Sequence, residues 1–162
     1  MNKKLISICI PILNEEENIE SIYKKINHIF NKFNDKYYYE IIFTDNNSSD
    51  KSFEIIKKIN ETDKNVRCYS FSNNIGKERS LINAYKLTKG DAAIQLDCDL
   101  QDPPELIEEF IKKWENGYDY VFAIRKNRKE NFILKNLRKV FYRLINFLSY
   151  SKLKNDVGDF SL

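Results

Sequence analysis

The chain is 162 residues long, 42% hydrophobic and 31% charged, the proportions of an ordinary soluble domain with room for one core. No stretch reaches the roughly 18–20 uninterrupted apolar residues of a membrane span, and Met-Asn-Lys-Lys before a short apolar run makes a poor signal peptide, so the expected address is cytoplasmic. The net charge of +3 hides a division: residues 1–124 hold 17 Lys and Arg against 21 acids, while residues 125–154 hold 10 against 1, a basic block suited to phosphate, an anionic membrane or nucleic acid.

The first predicted element is the Ile-rich run LISICIPIL at 5–13, continuous enough for a strand buried on both faces. Asn14 is placed to cap a helix with Glu15, Glu16 and Glu17 near its positive end, and Ile19, Ile22, Tyr23, Ile26 and Phe30 recur at helical spacing. Residues 39–44 predict a second strand and 45–50 a polar turn, after which Phe53, Ile56 and Ile59 line a second helix. A third strand at 66–71 runs through SNNIGKERS into a helix marked by Leu81, Ile82 and Tyr85 that ends near Gly90. A fourth strand, 92–96, delivers QLDCDLQDPPE at 95–105. Pro103 and Pro104 suit the first turn of the next helix, whose apolar face is Leu106, Ile107, Phe110, Ile111 and Trp114; Gly117 ends it, and 118–124 predict a fifth strand.

Strands alternating with helices predict a single α/β domain with a mostly parallel sheet and helices on both faces. Ligands of such sheets bind beyond the carboxyl ends of the strands, where Asn14, Asp45, Asn73, Asp97 and Arg125 all fall. If the extended conformation carries on past the fourth strand, Asp97, Asp99 and Gln101 point the same way and form a hard, oxygen-only partial cage for Mg²⁺ or Mn²⁺. The plainer alternative makes the two aspartates turn residues ahead of the helix at Pro103.

Asp45, inside TDNNSSD, either accepts the ring N–H of a nucleotide base or closes an Asx turn. Glu15 carries the same ambiguity, being an acid in a first helical turn. Lys77 beside Gly76 either touches phosphate or is a solvated lysine, whereas Arg125, a cation at a strand end near the metal cage, calls for an anionic partner. Cys9, Cys68 and Cys98 sit singly in apolar stretches, as small buried thiols do. From 132 to 150 an apolar stripe with interleaved Lys135, Arg138, Lys139 and Arg143 predicts a helix that lies on an anionic membrane surface or backs onto the core with a solvated basic face. Nucleic acid as the partner of this block leaves Asp97 and Asp99 unexplained and is set aside.

The segments IPILNEEENI (10–19), TDNNSSD (44–50), NIGKERSLINAY (74–85), QLDCDLQDPPEL (95–106), AIRKNRKE (123–130) and DVGDFSL (156–162), in this order along essentially the whole chain, resemble glycosyltransferase family 2 with its GT-A fold. Within it the chain is most similar to the polyprenyl-phosphate glycosyltransferases. The resemblance implies that Pro11, Leu13 and Glu15 border the base, Asp45 bonds it, and Lys77 and Asp97 belong to the nucleotide site, Asp97 against the ribose and diphosphate. It further implies that Asp99 and Gln101 hold the metal, Arg125 faces the phosphates, and Asp156 and Asp159 approach the acceptor. Residues 1–100 would then hold the nucleotide and 125–162 the acceptor-facing, basic amphipathic region. Asn46 and Asn47 replace the usual Asp-Gly, and Ser161 stands where the pattern has Arg.

The activity so implied is inverting, metal-dependent transfer of a sugar from a UDP- or GDP-sugar to a polyprenyl phosphate at the cytoplasmic membrane face, in cell-envelope biogenesis. The rival expectations are an enzyme extending a capsular or surface saccharide and a non-catalytic nucleotide-binding remnant. Relatives continue past the position of Leu162 into interface helices and membrane spans, so the sequence is expected to be a C-terminally truncated product or an excised domain. A homo-oligomer is compatible with it.

Overall fold

The computed structural model describes residues 3–124 and 157–162. Arg125, Asp156 and the basic amphipathic stretch at 132–150 lie outside them. The central strand is β1 (Lys4–Ile12), whose Ile6, Ile8 and Ile10 are wholly buried, as a strand covered on both faces requires. It leads through α1 (Ile19–Asn31) to β2 (Tyr37–Asp45), then α2 (Ser52–Thr62), β3 (Val66–Ser70), α3 (Lys77–Leu87), β4 (Ala92–Gln95) and α4 (Leu106–Glu115). β5 (Phe122–Ile124) and β6 (Val157–Ser161) complete the described elements.

The chain divides into two compact units, Met1–Val121 with Asp159–Leu162, and Phe122–Gly158. In the first, the strand order is β3-β2-β1-β4-β6; β1 pairs in parallel with β2 and β4, β2 in parallel with β3, and β4 meets β6 antiparallel at Gln95 and Ser161. The N–H and C=O groups of Val121 and Leu162 exchange two hydrogen bonds of 2.8 Å in the same unit. The second unit holds β5 and the first residues of β6, neighbours in strand order.

Side chains alternate across the sheet, and the helices follow the alternation. Cys9 and Ile42 pack on one face against Leu81 and Ala84 of α3, flanked by Tyr69 and Leu87. On the other face Phe30 of α1 stacks on Tyr39 with ring centroids 4.6 Å apart. Ion pairs Lys25–Glu105 and Lys32–Glu108 tie α4 to α1, and Phe110 of α4 meets Phe160 of β6 at 4.7 Å. The predicted mostly parallel sheet with helices on both faces is therefore present, and it gains an antiparallel strand at 157–161 that the sequence was not read to contain.

Three local expectations are corrected. Asn14 does not cap α1, which begins at Ile19 after Asn18; Asn14 instead adopts φ 55° and binds the loop after β2. The fifth strand starts at Phe122 rather than at 118. The fourth ends at Gln95, and Leu100 has φ 58°, so the extended conformation does not carry through Asp97, Asp99 and Gln101. Cys9 and Cys98 are buried free thiols, as expected; Cys68, also expected to be buried, is only half-buried.

Gly90, between α3 and β4, shows how tightly the edge of β1 is approached. A Cβ there would lie 2.6 Å from Ser7 Oγ, 2.7 Å from the Leu5 carbonyl oxygen and 2.9 Å from that of Ala92. Two of these are backbone atoms that cannot turn away. Gly90→Ala is expected to lower the unfolding free energy by about 1–3 kcal/mol, read as an earlier urea midpoint, by overpacking.

Candidate functional site

A cavity of about 340 Å³ opens at the carboxyl ends of β1, β2 and β4, within the first unit and within the ~300–1,000 Å³ range of small-molecule sites. The end of β1 supplies Pro11, Ile12, Leu13 and Glu15, and Asn46 follows β2. Asn74, Gly76 and Lys77 lead into α3, and Asp97, Cys98 and Asp99 follow β4.

Two loops that form its wall clamp one another. The Asn14 N–H donates to Ser48 Oγ at 2.9 Å, and Asn14 Oδ1 accepts from the Ser49 N–H at 2.8 Å. The Glu15 N–H donates to Ser52 Oγ, that of Glu16 to Asp50, and that of Lys51 back to Glu16. Each loop satisfies the other's backbone donors, which no contiguous sequence signal announces. Glu15, no longer in a helical first turn, accepts from Asn18 Nδ2 at 2.7 Å.

Asn46 is 3% exposed, and its N–H donates to the Ile12 carbonyl at 2.8 Å. Its Oδ1 accepts from the Ile75 N–H at 2.9 Å. A backbone N–H can only donate, so this contact fixes which way the amide faces. The same loop turns at Gly76, whose φ of 86° favours glycine, and Asn74 Oδ1 accepts its N–H. The turn brings Lys77 to the cavity, where Nζ lies 2.7 Å from Asp97 Oδ2.

Asp99 Oδ1 accepts from the Gln101 N–H at 3.0 Å, closing a small turn. Between the two aspartates, burial first and then the charges of Glu15, Asp99 and Asp97 push the Cys98 thiol well above its ordinary pKa, so it is a neutral part of the wall. The structure thus brings together Pro11, Leu13, Glu15, Lys77, Asp97 and Asp99 of the residues singled out from sequence. Gln101 is exposed and does not line the cavity. Asp45 is 2% exposed behind it, accepting from the Ser48 N–H at 3.2 Å and from Ser70 Oγ at 2.8 Å, the contacts of an Asx turn. Asp159 lies in β6.

Sequence reasoning missed the cavity roles of Ile12, Asn46, Asn74, Gly76 and Cys98. The available signal was weak: an asparagine directly after β2 and another four residues after β3.

The model of glycosyl transferase family 2 matches residues 7–162, nearly the whole chain. The chain belongs to glycosyl transferase family 2. Among its relatives in that family are the bactoprenol glucosyl transferase of Shigella phage SfX, 40% identical across 97% of this chain and 51% of its own length, and the uncharacterized glycosyltransferase YkcC of Bacillus subtilis, 36% identical across 96% and 48%. The chain spans about half the length of the curated relatives it matches. Among solved structures, glucosyl-3-phosphoglycerate synthase of Mycobacterium tuberculosis, in complex with Mn²⁺, UDP and phosphoglyceric acid, superimposes with a TM-score of 0.63 at 21% identity, over 98% of this chain and 55% of that one, and shares the fold.

The family 2 cavity fits a hard divalent ion. Its wall carries the carboxylates of Asp97 and Asp99, hard oxygen donors, and the Lys77 ammonium lies against Asp97. Among the described residues no group of three or more His, Cys, Asp and Glu could hold a metal ion by itself. Mg²⁺ and Mn²⁺ complete such partial sets with water and substrate phosphates. Among the described residues, no helix is long and apolar enough to cross a membrane.

Proposed function

We propose that this site binds a UDP- or GDP-linked sugar and transfers the sugar, with inversion, to a polyprenyl phosphate at the cytoplasmic face of the cell membrane, a step in cell-envelope biogenesis. The observation that carries the proposal is the 40% identity over nearly the whole chain to a phage bactoprenol glucosyl transferase. Supporting it, acids gather at the carboxyl ends of the strands of a fold that in a neighbour holds UDP and Mn²⁺.

In a single displacement, an oxygen of the acceptor phosphate forms a bond to the anomeric carbon while the bond from that carbon to the diphosphate breaks, and its electron pair leaves on the nucleoside diphosphate. A polyprenyl phosphate is already ionised near neutral pH, so the acceptor needs positioning rather than a general base. Pro11, Leu13 and Glu15 would border the base. Asp45 would accept from its ring N–H with lone pairs that Ser48 and Ser70 leave open. Asp97 would meet the ribose and diphosphate, and Lys77 the phosphates. Asp99 and Asp97 would hold Mg²⁺ or Mn²⁺, with Gln101 outside the cavity, and the ion when bound supplies charge stabilisation to the departing diphosphate. Arg125 would face the same phosphates, Asp156 and Asp159 the acceptor, and the basic stretch at 132–150 an anionic leaflet.

The test supplies the chain with undecaprenyl phosphate, MnCl₂ and radiolabelled UDP-glucose or GDP-mannose. Label extracted into organic solvent, and lost on adding EDTA, is the expected result. Transfer only to soluble saccharides would replace this reading with surface-saccharide extension. Tight nucleotide binding with neither transfer nor donor hydrolysis would replace it with a binding remnant.

A further inference from the structure

The Lys77 ammonium and Asp97 carboxylate, 2.7 Å apart, both line the cavity that would receive the diphosphate. The pair is unequal: the Asp97 side chain is 19% exposed and that of Lys77 41%. A half-buried carboxylate is stabilised by a cation beside it, and further acids, Glu15 and Asp99, line the same cavity. Lys77 supplies that cation at the first residue of α3, which a backbone turn at Gly76 aims into the cavity. A divalent ion settling on Asp97 and Asp99 would find this ammonium already there. Repulsion between them over a few ångströms, in a half-solvated site, is worth on the order of a factor of ten in affinity.

Resting on the nucleotide-sugar reading above, we propose that Lys77 is the resident counter-ion of the donor site. It pairs with Asp97 while the cavity lacks nucleotide, holds that carboxylate in place, and keeps a free divalent ion from binding tightly. An entering diphosphate offers the ammonium new anionic partners, Lys77 moves from Asp97 to the phosphates, and Asp97 becomes available to the ion. Metal and nucleotide consequently bind as one unit, and each strengthens the other. This makes Lys77 a positioning residue for Asp97 as well as a phosphate contact.

The test measures Mn²⁺ affinity without nucleotide, from the electron paramagnetic resonance signal of the free ion. Lys77→Met is expected to bind Mn²⁺ alone about tenfold more tightly than the unaltered chain, and UDP or GDP with Mn²⁺ about tenfold more weakly. The factor by which Mn²⁺ and nucleotide strengthen one another then falls. Lys77→Arg, which keeps the charge, is expected to leave the Mn²⁺ affinity low. Unchanged or weaker Mn²⁺ binding in Lys77→Met, with an unaltered circular dichroism spectrum, would overturn the proposal. That arm contains no nucleotide, so it decides the role of Lys77 by itself. Failure of the unaltered chain to bind any nucleoside diphosphate would overturn the functional reading instead.

Discussion

Asp99→Ala is expected to abolish Mn²⁺-dependent binding of a UDP- or GDP-sugar in calorimetry and to lower sugar transfer by about a hundredfold or more, equivalent to roughly 2.7 kcal/mol of transition-state stabilisation. The alanine removes one of the two aspartate carboxylates lining the cavity, and an oxygen-only site for a hard ion cannot replace it from the neutral Cys98 beside it. A purely conformational role is the competing explanation, because Asp99 Oδ1 accepts the Gln101 N–H at 3.0 Å. Asp99→Asn separates the two. It keeps an oxygen for that hydrogen bond and loses the charge, so it behaves like alanine if the carboxylate serves a metal and like the unaltered chain if it serves the turn. Metal-dependent affinity unchanged in both variants would remove the assignment of this site to Mg²⁺ or Mn²⁺.

The layered α/β plan was legible because its signals are local. Buried Ile runs in β1 and β2 and apolar residues at helical spacing in α1 and α4 each state their own period. β6 was illegible for the opposite reason: VGDFS holds a glycine and an aspartate, and it is a strand because β4 and Val121 supply partners distant in sequence. Asn14 illustrates a conflict of local and distant forces, since its capping signature is real but lost to a left-handed turn that reaches Ser48 and Ser49. The cluster at Asp97 and Asp99 was found through a premise the fold does not keep. The strand stops at Gln95, and what gathers these acids into one cavity is the turn after it together with the arrival of Lys77 from α3. Asn46 was read only as a departure from the family pattern, because its contact with Ile75 joins loops that sequence spacing cannot relate.

Arg67→Met is expected to lower the unfolding free energy by about 3 kcal/mol at neutral pH, through a cluster toward the amino-terminal part of the strands and away from the cavity. Glu40 is 7% exposed, and its carboxylate accepts from Ser7 Oγ at 2.7 Å, the Lys89 N–H at 2.7 Å and Arg67 Nη1 at 2.8 Å. Arg67 also donates to the Leu87 carbonyl and to Tyr69 Oη. Burial alone would raise the Glu40 pKa; the bonds from Ser7, Lys89 and Arg67 outweigh it and hold the group below its ordinary value of 4.5. A carboxyl lowered by folding contributes stability that is fully present above its unfolded pKa and is lost as pH falls through the lower folded value. Acid destabilisation from this group therefore begins only below about pH 4.5 in the unaltered chain. In Arg67→Met the burial stays while an opposing partner goes, so the folded pKa of Glu40 moves up toward its unfolded value and the stability this group loses on acidification becomes smaller than in the unaltered chain. Adding Glu40→Gln removes the uncompensated charge, and the double variant is expected to regain part of the stability lost by the single one. Urea midpoints at pH 7 and pH 5 for the single and double variants measure this coupling; additive losses at both pH values would show that the ion pair contributes nothing beyond the packing of its two side chains.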